Sequence, residues 1–373
     1  MNLFFQKWER FTHLLMSLDL RHTQKKKSFL FYPVLSFFSY IYLLFYWLRI
    51  FIYKYGLKGK KRLKVKVISV GNLTLGGSGK TPMVLYLASE FKKRGKEVVI
   101  LIRGYKRKEK RQKELYGNPE DLRWELFGDE PYLLSLNLPE VPVIINKRRF
   151  EAGVFAQKKY RPDLFILDDG FQHWRLERDI DLVMVDATYP LSEQRLFPLG
   201  RLREPLSSLK RADIVVLNKI DQSYNIKDAL NVINRYNPSC FVAQSFYEVS
   251  EVENLEQATL VELSSLKGKK TVAFSGIANH LSFEKTLKSL GIVIKNHIKF
   301  SDHHFYSTKD IMNIQKEGKR CGADFVCTTE KDKIKIPTNV SFQLPTYVVK
   351  IRLKIKEQEK WFWDFVQEKL RWQ

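Results

Sequence analysis

Short apolar blocks alternate with stretches of helical spacing along most of this chain. Residues 65–70, 97–102, 141–145, 164–168, 181–185 and 213–217 are apolar runs of strand length. The clearest helix begins at Pro82, after which Met83, Val84, Leu85, Leu87, Ala88 and Phe91 recur at helical spacing, and proline suits a first turn. Strands alternating with helices predict an α/β fold with a doubly wound, mostly parallel sheet and ligands at the carboxyl ends of its strands. From about residue 248 the pattern turns polar and rich in Glu, which reads as a linker or crossover. A smaller α/β unit follows, with strands at 271–274, 292–298, 325–329 and 346–355 and helical stretches at 282–290 and near Asp310. The expected division is 1–62, 63–247 and 248–373.

Before the first strand the pattern changes altogether. Residues 28–48 carry no charge and are crowded with Phe, Tyr, Leu and Ile, about the length of a membrane span. The run starts too late, and lacks the cleavage pattern, for a signal peptide. Lys25, Lys26 and Lys27 precede it, and Arg49, Lys54, Lys58, Lys60, Lys61 and Arg62 follow. A spanning helix keeps its basic residues on one side, so two basic flanks favour a helix lying in the cytoplasmic interface. A single span and a buried core helix are the other two readings. Residues 1–27, with Phe4, Phe5, Trp8, Phe11, Leu14 and Leu15, extend the anchor as an amphipathic segment.

Composition adds two constraints. The formal charge of +23 over 373 residues calls for an anionic partner. No zinc-finger or RNA-binding aromatic signature is present, so the expectation is an anionic membrane surface and no nucleic acid. Three scattered cysteines, Cys240, Cys321 and Cys327, form neither a metal spacing nor a disulfide framework and suit a reducing cytoplasm.

The candidate chemistry centres on residues 67–81, where a strand feeds a glycine-rich loop ending in Lys80 and Thr81 at a helix start. This is the layout of a P-loop, with Thr74 where the usual pattern has its first glycine. Backbone N–H groups across Thr74, Leu75, Gly76, Gly77, Ser78 and Gly79 would cradle nucleotide phosphates. Lys80 would reach the β- and γ-phosphates and Thr81 would bind Mg²⁺. The apolar run 164–168 ends in Asp168 and Asp169, the Walker B arrangement that supports Mg²⁺. Asn218-Lys219-Ile220-Asp221 has the N-K-x-D form of GTPases, but Asp168-Asp169-Gly170 is one residue short of D-x-x-G. The N-K-x-D is therefore read as coincidental, and a membrane-associated GTPase or ATPase of other function is kept as the alternative reading.

In the same order as in that family, Gly71-Asn72-Leu-Thr-Leu-Gly76-Gly77-Ser-Gly79-Lys80-Thr81-Pro82, Arg103-Gly104-Tyr105, Gly128-Asp129-Glu130-Pro131, Asp168-Asp169-Gly-Phe-Gln-His173 and Gly200-Arg-Leu-Arg203-Glu204-Pro205 resemble the motifs of the tetraacyldisaccharide 4'-kinases. Phe274-Ser-Gly-Ile-Ala-Asn279, Asp302-His303-His304 and Thr328-Thr-Glu-Lys-Asp332 continue the resemblance, which covers about residues 32–332. His280 stands where the family has proline, and the basic run after Tyr105 is unusually dense. Those enzymes phosphorylate a lipid A precursor of Gram-negative bacteria. The resemblance implies transfer of the ATP γ-phosphoryl group to the 4'-hydroxyl of a lipid disaccharide 1-phosphate at the cytoplasmic face of the inner membrane. It makes Asp129 the catalytic base and His303 its tuning partner, with Thr81 and Asp168 or Asp169 holding Mg²⁺. Arg103, Arg149 (taken over its neighbour Arg148), Gln172, Arg203 and Glu204 are the expected substrate or phosphate contacts.

Overall fold

The computed structural model describes residues 27–56, 59–105, 107, 111–117, 124–223, 225–338 and 340–372. The amphipathic reading of 1–27, apart from Lys27, and most of the basic run at 106–111 lie outside them. The chain begins with helix α1 (Lys27–Lys54), then β1 (Lys66–Asn72), α2 (Lys80–Lys93), β2 (Val98–Ile102) and a short β3 (Lys113–Leu115). Helices α3 (Trp124–Phe127) and α4 (Asp129–Asn137), strand β4 (Val143–Ile145), helix α5 (Arg149–Tyr160), and strands β5 (Leu164–Asp168), β6 (Ile180–Asp186) and β7 (Ile214–Asn218) complete the first half. The strands β7-β6-β1-β5-β2-β4 lie side by side and parallel, with β3 antiparallel at the edge. Every residue of β2, β5, β6 and β7 is buried, which explains why these strands read as unbroken apolar runs.

The stretch from residue 248 is not a linker. After helix α6 (Ile226–Tyr236), strand β8 runs unbroken from Phe241 to Asn254. Residues Phe241 to Ser245 pair in parallel with β7, and Ser245 to Asn254 pair antiparallel with β13 (Thr346–Ile355). The point 247/248 thus falls in mid-strand. The polar look has a physical cause: Glu248 and Glu251 point to a face where Lys350, Arg352 and Lys354 of β13 meet them, while Val249 and Val252 point into a core. Charged cross-strand pairs let a long strand carry many carboxylates without losing its ladder.

Strands β9 (Thr259–Val261), β10 (Lys270–Ser275), β11 (Val293–Lys299) and β12 (Phe325–Thr329), with helices α7 (His280–Ser289), α8 (Thr308–Arg320) and α9 (Glu330–Lys333), build the second half on the far end of β8. Strands β12, β10 and β11 follow β13 in parallel, giving one sheet of 13 strands. Because β13 runs against β8, the carboxyl ends of β10 and β12 point back toward those of β1, β5 and β7. Two rows of strand-end loops therefore face one another. The last helix, α10 (Glu359–Leu370), returns to the first half, where Phe362, Trp363, Val366 and Leu370 share a core with Met83 and Phe91 of α2.

Helix α1 docks along one stripe. Ser39 Oγ donates to Leu196 O (3.2 Å), Tyr42 Oη to Arg203 O (2.6 Å), and Tyr46 Oη hydrogen-bonds Ser208 Oγ (2.6 Å). Arg49 Nη2 donates to Gln172 O at 2.5 Å. On the opposite stripe Phe37, Tyr40, Leu44, Leu48 and Phe51 are all more than half exposed. Residues Tyr32–Lys54 are long and apolar enough to cross a membrane.

Trp363 packs edge-on to Phe91 at 5.1 Å, stacks beneath the Arg94 guanidinium at 3.9 Å and donates to Tyr86 Oη at 3.0 Å. Trp363→Ala is expected to destabilise the first half by about 3–5 kcal/mol, the usual cost of truncating a buried tryptophan. Amide exchange in α2 should rise with the fall in thermal midpoint. Loss confined to α10 would show that the helix is an appendage.

Candidate active site

Each loop of the first half is built on the backbone of its neighbours. Leu75 N donates to Arg201 O and Arg203 N to Leu73 O, both at 2.7 Å, and Thr74 bridges Leu202. This short ladder brings Arg203 beside the glycine loop. Gly76 and Gly79 have φ near +98° and +96°, values at which a side chain would be strained. Lys80 and Thr81 begin α2, with Gly79 as its cap residue, so the loop ends at a helix N-terminus. Ser78 and Thr81 are buried, and Lys80 is mostly so.

The two aspartates at the end of β5 differ. Asp169, in left-handed backbone (φ 49°), receives a two-pronged contact from Arg203 at 2.7 and 3.0 Å and lies 3.5 Å from Lys80 Nζ. Burial raises its pKa, but Arg203 and Lys80 outweigh that and hold it well below the usual range. Asp168 is buried, and its Oδ1 accepts from Asp169 N at 2.9 Å. Burial, with Glu130 and Asp169 nearby, pushes its carboxyl up to about 7 despite Lys80 and Arg149. Asp168 is thus the carboxylate short of positive charge, and with the Thr81 hydroxyl it offers the hard oxygen donors that suit Mg²⁺. Among the described residues no group of three or more His, Cys, Asp or Glu converges on one point. A cation completed by phosphate oxygens needs only one or two protein ligands.

Asp129 is the first residue of α4, and Gly128 occupies the cap position. Its Oδ1 accepts from Glu130 N, leaving Oδ2 free for His303 Nδ1, 2.5 Å away in the loop after β11. Asp129 thus serves a first-turn N–H with one oxygen and His303 with the other. Burial raises its pKa, but the His303 hydrogen bond and charge, with Lys331 and Lys335, bring it down to about 2. Partial burial of His303 disfavours its charge, yet Asp129 and Asp302 raise its pKa on balance. Tyr105, Trp124, Glu125, Gly128 and Phe305 surround the pair in a shallow hollow. Helix α4 packs on both α2 and α9, and the pair lies in the field of Lys331 and Lys335.

The remaining expected contacts divide. Arg149 is buried, its Nη1 bound to Asn146 O and Lys147 O and its Nε unpartnered, whereas Arg148 is exposed. Burial, against the attraction of Asp169, lowers its pKa to about 10. Arg103 is exposed. Gln172 donates to Asn72 O at 2.9 Å and keeps an unpartnered buried Oε1. Glu204 is buried against Arg211 at 2.6 Å, and Arg211 lies over Phe171 and Trp174, so this carboxylate braces a loop. Sequence reasoning missed Glu130 and Lys331. Glu130 adjoins Asp129 in the Gly128–Pro131 motif, and Lys331 lies in the Thr328–Asp332 motif, so both were visible as motif members without a role. Asn218-Lys219, read as a coincidental match to the GTPase spacing, also touches the loop: Asn218 Nδ2 donates to Ser78 O at 3.1 Å and Lys219 Nζ to Gly77 O at 3.3 Å.

A lysine-bearing helix N-terminus that faces a histidine-bound carboxylate is equipment for moving a phosphoryl group onto a hydroxyl, and the protein is of the P-loop kinase class. The family model for LpxK, tetraacyldisaccharide-1-P 4'-kinase, matches residues 31–371. The tetraacyldisaccharide 4'-kinase of Halothermothrix orenii is 34% identical over 345 residues, covering 87% of this chain and 89% of that protein. That of Aquifex aeolicus is 36% identical over 326 residues, covering 87% and 94%. The crystal structure of "apo" form LpxK from Aquifex aeolicus in complex with ATP superposes with a TM-score of 0.71 at 35% identity, over 91% of this chain and 99% of that one. The chain belongs to the tetraacyldisaccharide 4'-kinase family and is a lipid kinase.

The Asp129–His303 pair has a defined pH window. A carboxyl lowered to about 2 contributes stability above its ordinary 3.8 and loses it as pH falls through the lowered value. A histidine raised above 6.5 contributes below 6.5 and loses it as pH climbs through the raised value. The coupling between Asp129→Asn and His303→Gln in a double-mutant cycle is therefore expected at about 1–3 kcal/mol near pH 5.5 and much less at pH 9. A pH-independent coupling would mean that the contact is not ionic.

Proposed function

We propose that the kinase activity of this chain, transfer of the ATP γ-phosphoryl group to the 4'-hydroxyl of a tetraacyl disaccharide 1-phosphate, runs through Asp129 as the proton acceptor. The observation that carries this is the half-buried Asp129 carboxylate, held by His303 from the facing row of loops. Its low pKa keeps Asp129 ionised at neutral pH, so it first orients the hydroxyl by accepting its hydrogen bond. The proton passes to it as the bond from the sugar oxygen to phosphorus forms and the bond to the β-phosphate oxygen breaks. This order suits a loose transition state, in which the hydroxyl becomes acidic only late. His303 then stabilises the carboxyl and shares the proton.

Lys80 and the 76–81 backbone hold the triphosphate and neutralise the charge that gathers on the leaving phosphate. Thr81 and Asp168 are the residues that would hold Mg²⁺, which supplies Lewis-acid neutralisation of the β- and γ-phosphates when bound. Asp169, through Arg203 and Lys80, fixes the two cations in place. Arg149, buried beside both aspartates, is the reserve cation for substrate phosphate. The exposed stripe of α1 seats the enzyme on the cytoplasmic face of the bacterial inner membrane, where a lipid acceptor is found. The basic surface adds attraction to anionic headgroups.

If Asp129 and His303 act as one unit, Asp129→Ala and His303→Ala each lower kcat heavily and leave ATP affinity nearly intact. The double variant should then be little worse than the more damaged single one. Fully additive losses in kcat would defeat the paired mechanism, and Lys80→Ala serves as the inactive reference. For the anchor, replacing Leu44, Phe45 and Leu48 together by Gln should release the protein from vesicles of anionic lipid in high salt, because those side chains lie on the exposed side. Ser39, Tyr42 and Tyr46 would keep the helix docked, so ATP binding should persist. Continued sedimentation of the triple variant in high salt would place the anchor elsewhere.

A further inference from the structure

Asn218 and Lys219 are buried polar side chains against the phosphate loop to which the transfer mechanism gives no part. Asn218 is fully buried and Lys219 is 3% exposed. Charged and amide side chains are rarely held this deep unless fully paired, and these are. Asn218 Nδ2 donates to Ser78 O at 3.1 Å and to Tyr247 Oη at 2.7 Å, while its Oδ1 accepts from Lys219 N at 2.9 Å and Ser245 Oγ at 3.0 Å. Lys219 Nζ is 2.6 Å from Asp186 Oδ2 and donates to Gly77 O at 3.3 Å. Lys219 adopts left-handed backbone, φ 60°, in order to turn back to the loop.

We infer that Asn218, Lys219 and Tyr247 form a brace behind the phosphate loop that sets its shape, and that the N-K-x-D segment positions the loop rather than reading a nucleotide base. In a trans peptide the carbonyl and the next N–H point opposite ways. Fastening Ser78 O from behind therefore turns the Gly79 N–H to the front, toward the phosphates. The fit beneath Gly79 is close: a methyl group there would meet Asn218 Nδ2 at 2.2 Å and Tyr247 Oη at 2.4 Å. Asp221, the fourth residue of the segment, is exposed and joins none of these contacts. Tyr247 lies two residues past Ser245, where β8 leaves β7 for β13. The brace thus also fastens the phosphate loop to the strand that carries the second half of the sheet.

The inference rests on the reading of residues 76–81 as the ATP phosphate loop. The test uses the full chain in detergent, measuring ATP and GTP dissociation constants, kcat, KM for ATP and for lipid, and thermal midpoint. Tyr247→Phe removes one oxygen and keeps the packing, so it tests the brace even if Asn218→Ala folds poorly. Both are expected to weaken ATP binding and raise KM for ATP about tenfold, with KM for lipid unchanged. Lys219→Met should behave alike, and Lys219→Arg should recover part of the loss. Asp221→Ala should leave ATP affinity and the ATP-to-GTP preference as they are. A lowered thermal midpoint with unchanged KM for ATP in both Asn218→Ala and Tyr247→Phe would overturn the brace. So would a shift in nucleotide preference in Asp221→Ala. Normal turnover by Lys80→Ala would instead sink the phosphate-loop reading itself, and the brace with it.

Discussion

The contact between Asp129 and His303 organises the site because its partners come from opposite rows of loops. Asp129 is set by the start of α4 on the first half of the sheet, and His303 by the loop after β11 on the second. Neither half holds a complete site alone. What makes the contact possible is β8, a strand of 14 residues that pairs with β7 at one end and with β13 at the other. The antiparallel step at β13 reverses the second half, so that its carboxyl strand ends return toward the phosphate loop. A purely parallel continuation would have pointed them away.

Around this frame the charges are arranged by subtraction. The phosphate loop needs cations that are not already neutralised, and it needs one carboxylate with an unmet demand for positive charge. Asp169 takes up Arg203 and sits at the edge of Lys80, which orders both side chains. Asp168 is left with its pKa pushed up to about 7, by burial first and then by the like charge of Glu130 and Asp169. A buried carboxylate in that state gains from any cation brought beside it, which is the requirement for binding metal together with triphosphate. Two adjacent aspartates in one motif thereby acquire different electrostatic states from their surroundings alone.

The residues closest to phosphate were the most legible in the sequence. The glycine loop, Lys80, Thr81 and the aspartates ending β5 follow local rules of strand, turn and helix start, and those rules act within a few residues. Legibility failed where the partner lies far along the chain. The carboxylates of β8 looked like a linker because their lysine and arginine partners stand about a hundred positions later on β13. Glu204 looked like a ligand contact, whereas Arg211 engages it in a buried pair. The return of α10 to the first core has no local signal either, since its apolar face would suit the second half equally well. Asn218 and Lys219 matched a known spacing, yet only the fold reveals that their side chains turn back onto the loop.

Helix α1 follows the same logic. Its docked stripe does not rest on an inert part of the molecule: Tyr42 holds the backbone of Arg203, and Arg49 holds that of Gln172. Arg203 in turn grips Asp169, and Gln172 grips Asn72 at the end of β1. Two residues of the helix are thus one hydrogen bond removed from the strand ends that flank the phosphate loop. A chain that acts on a lipid gains from this economy. The exposed apolar stripe and the stripe that meets the loops of the site are two sides of one helix, so the position of the exposed stripe is set relative to Asp129 by rigid secondary structure and not by a tether.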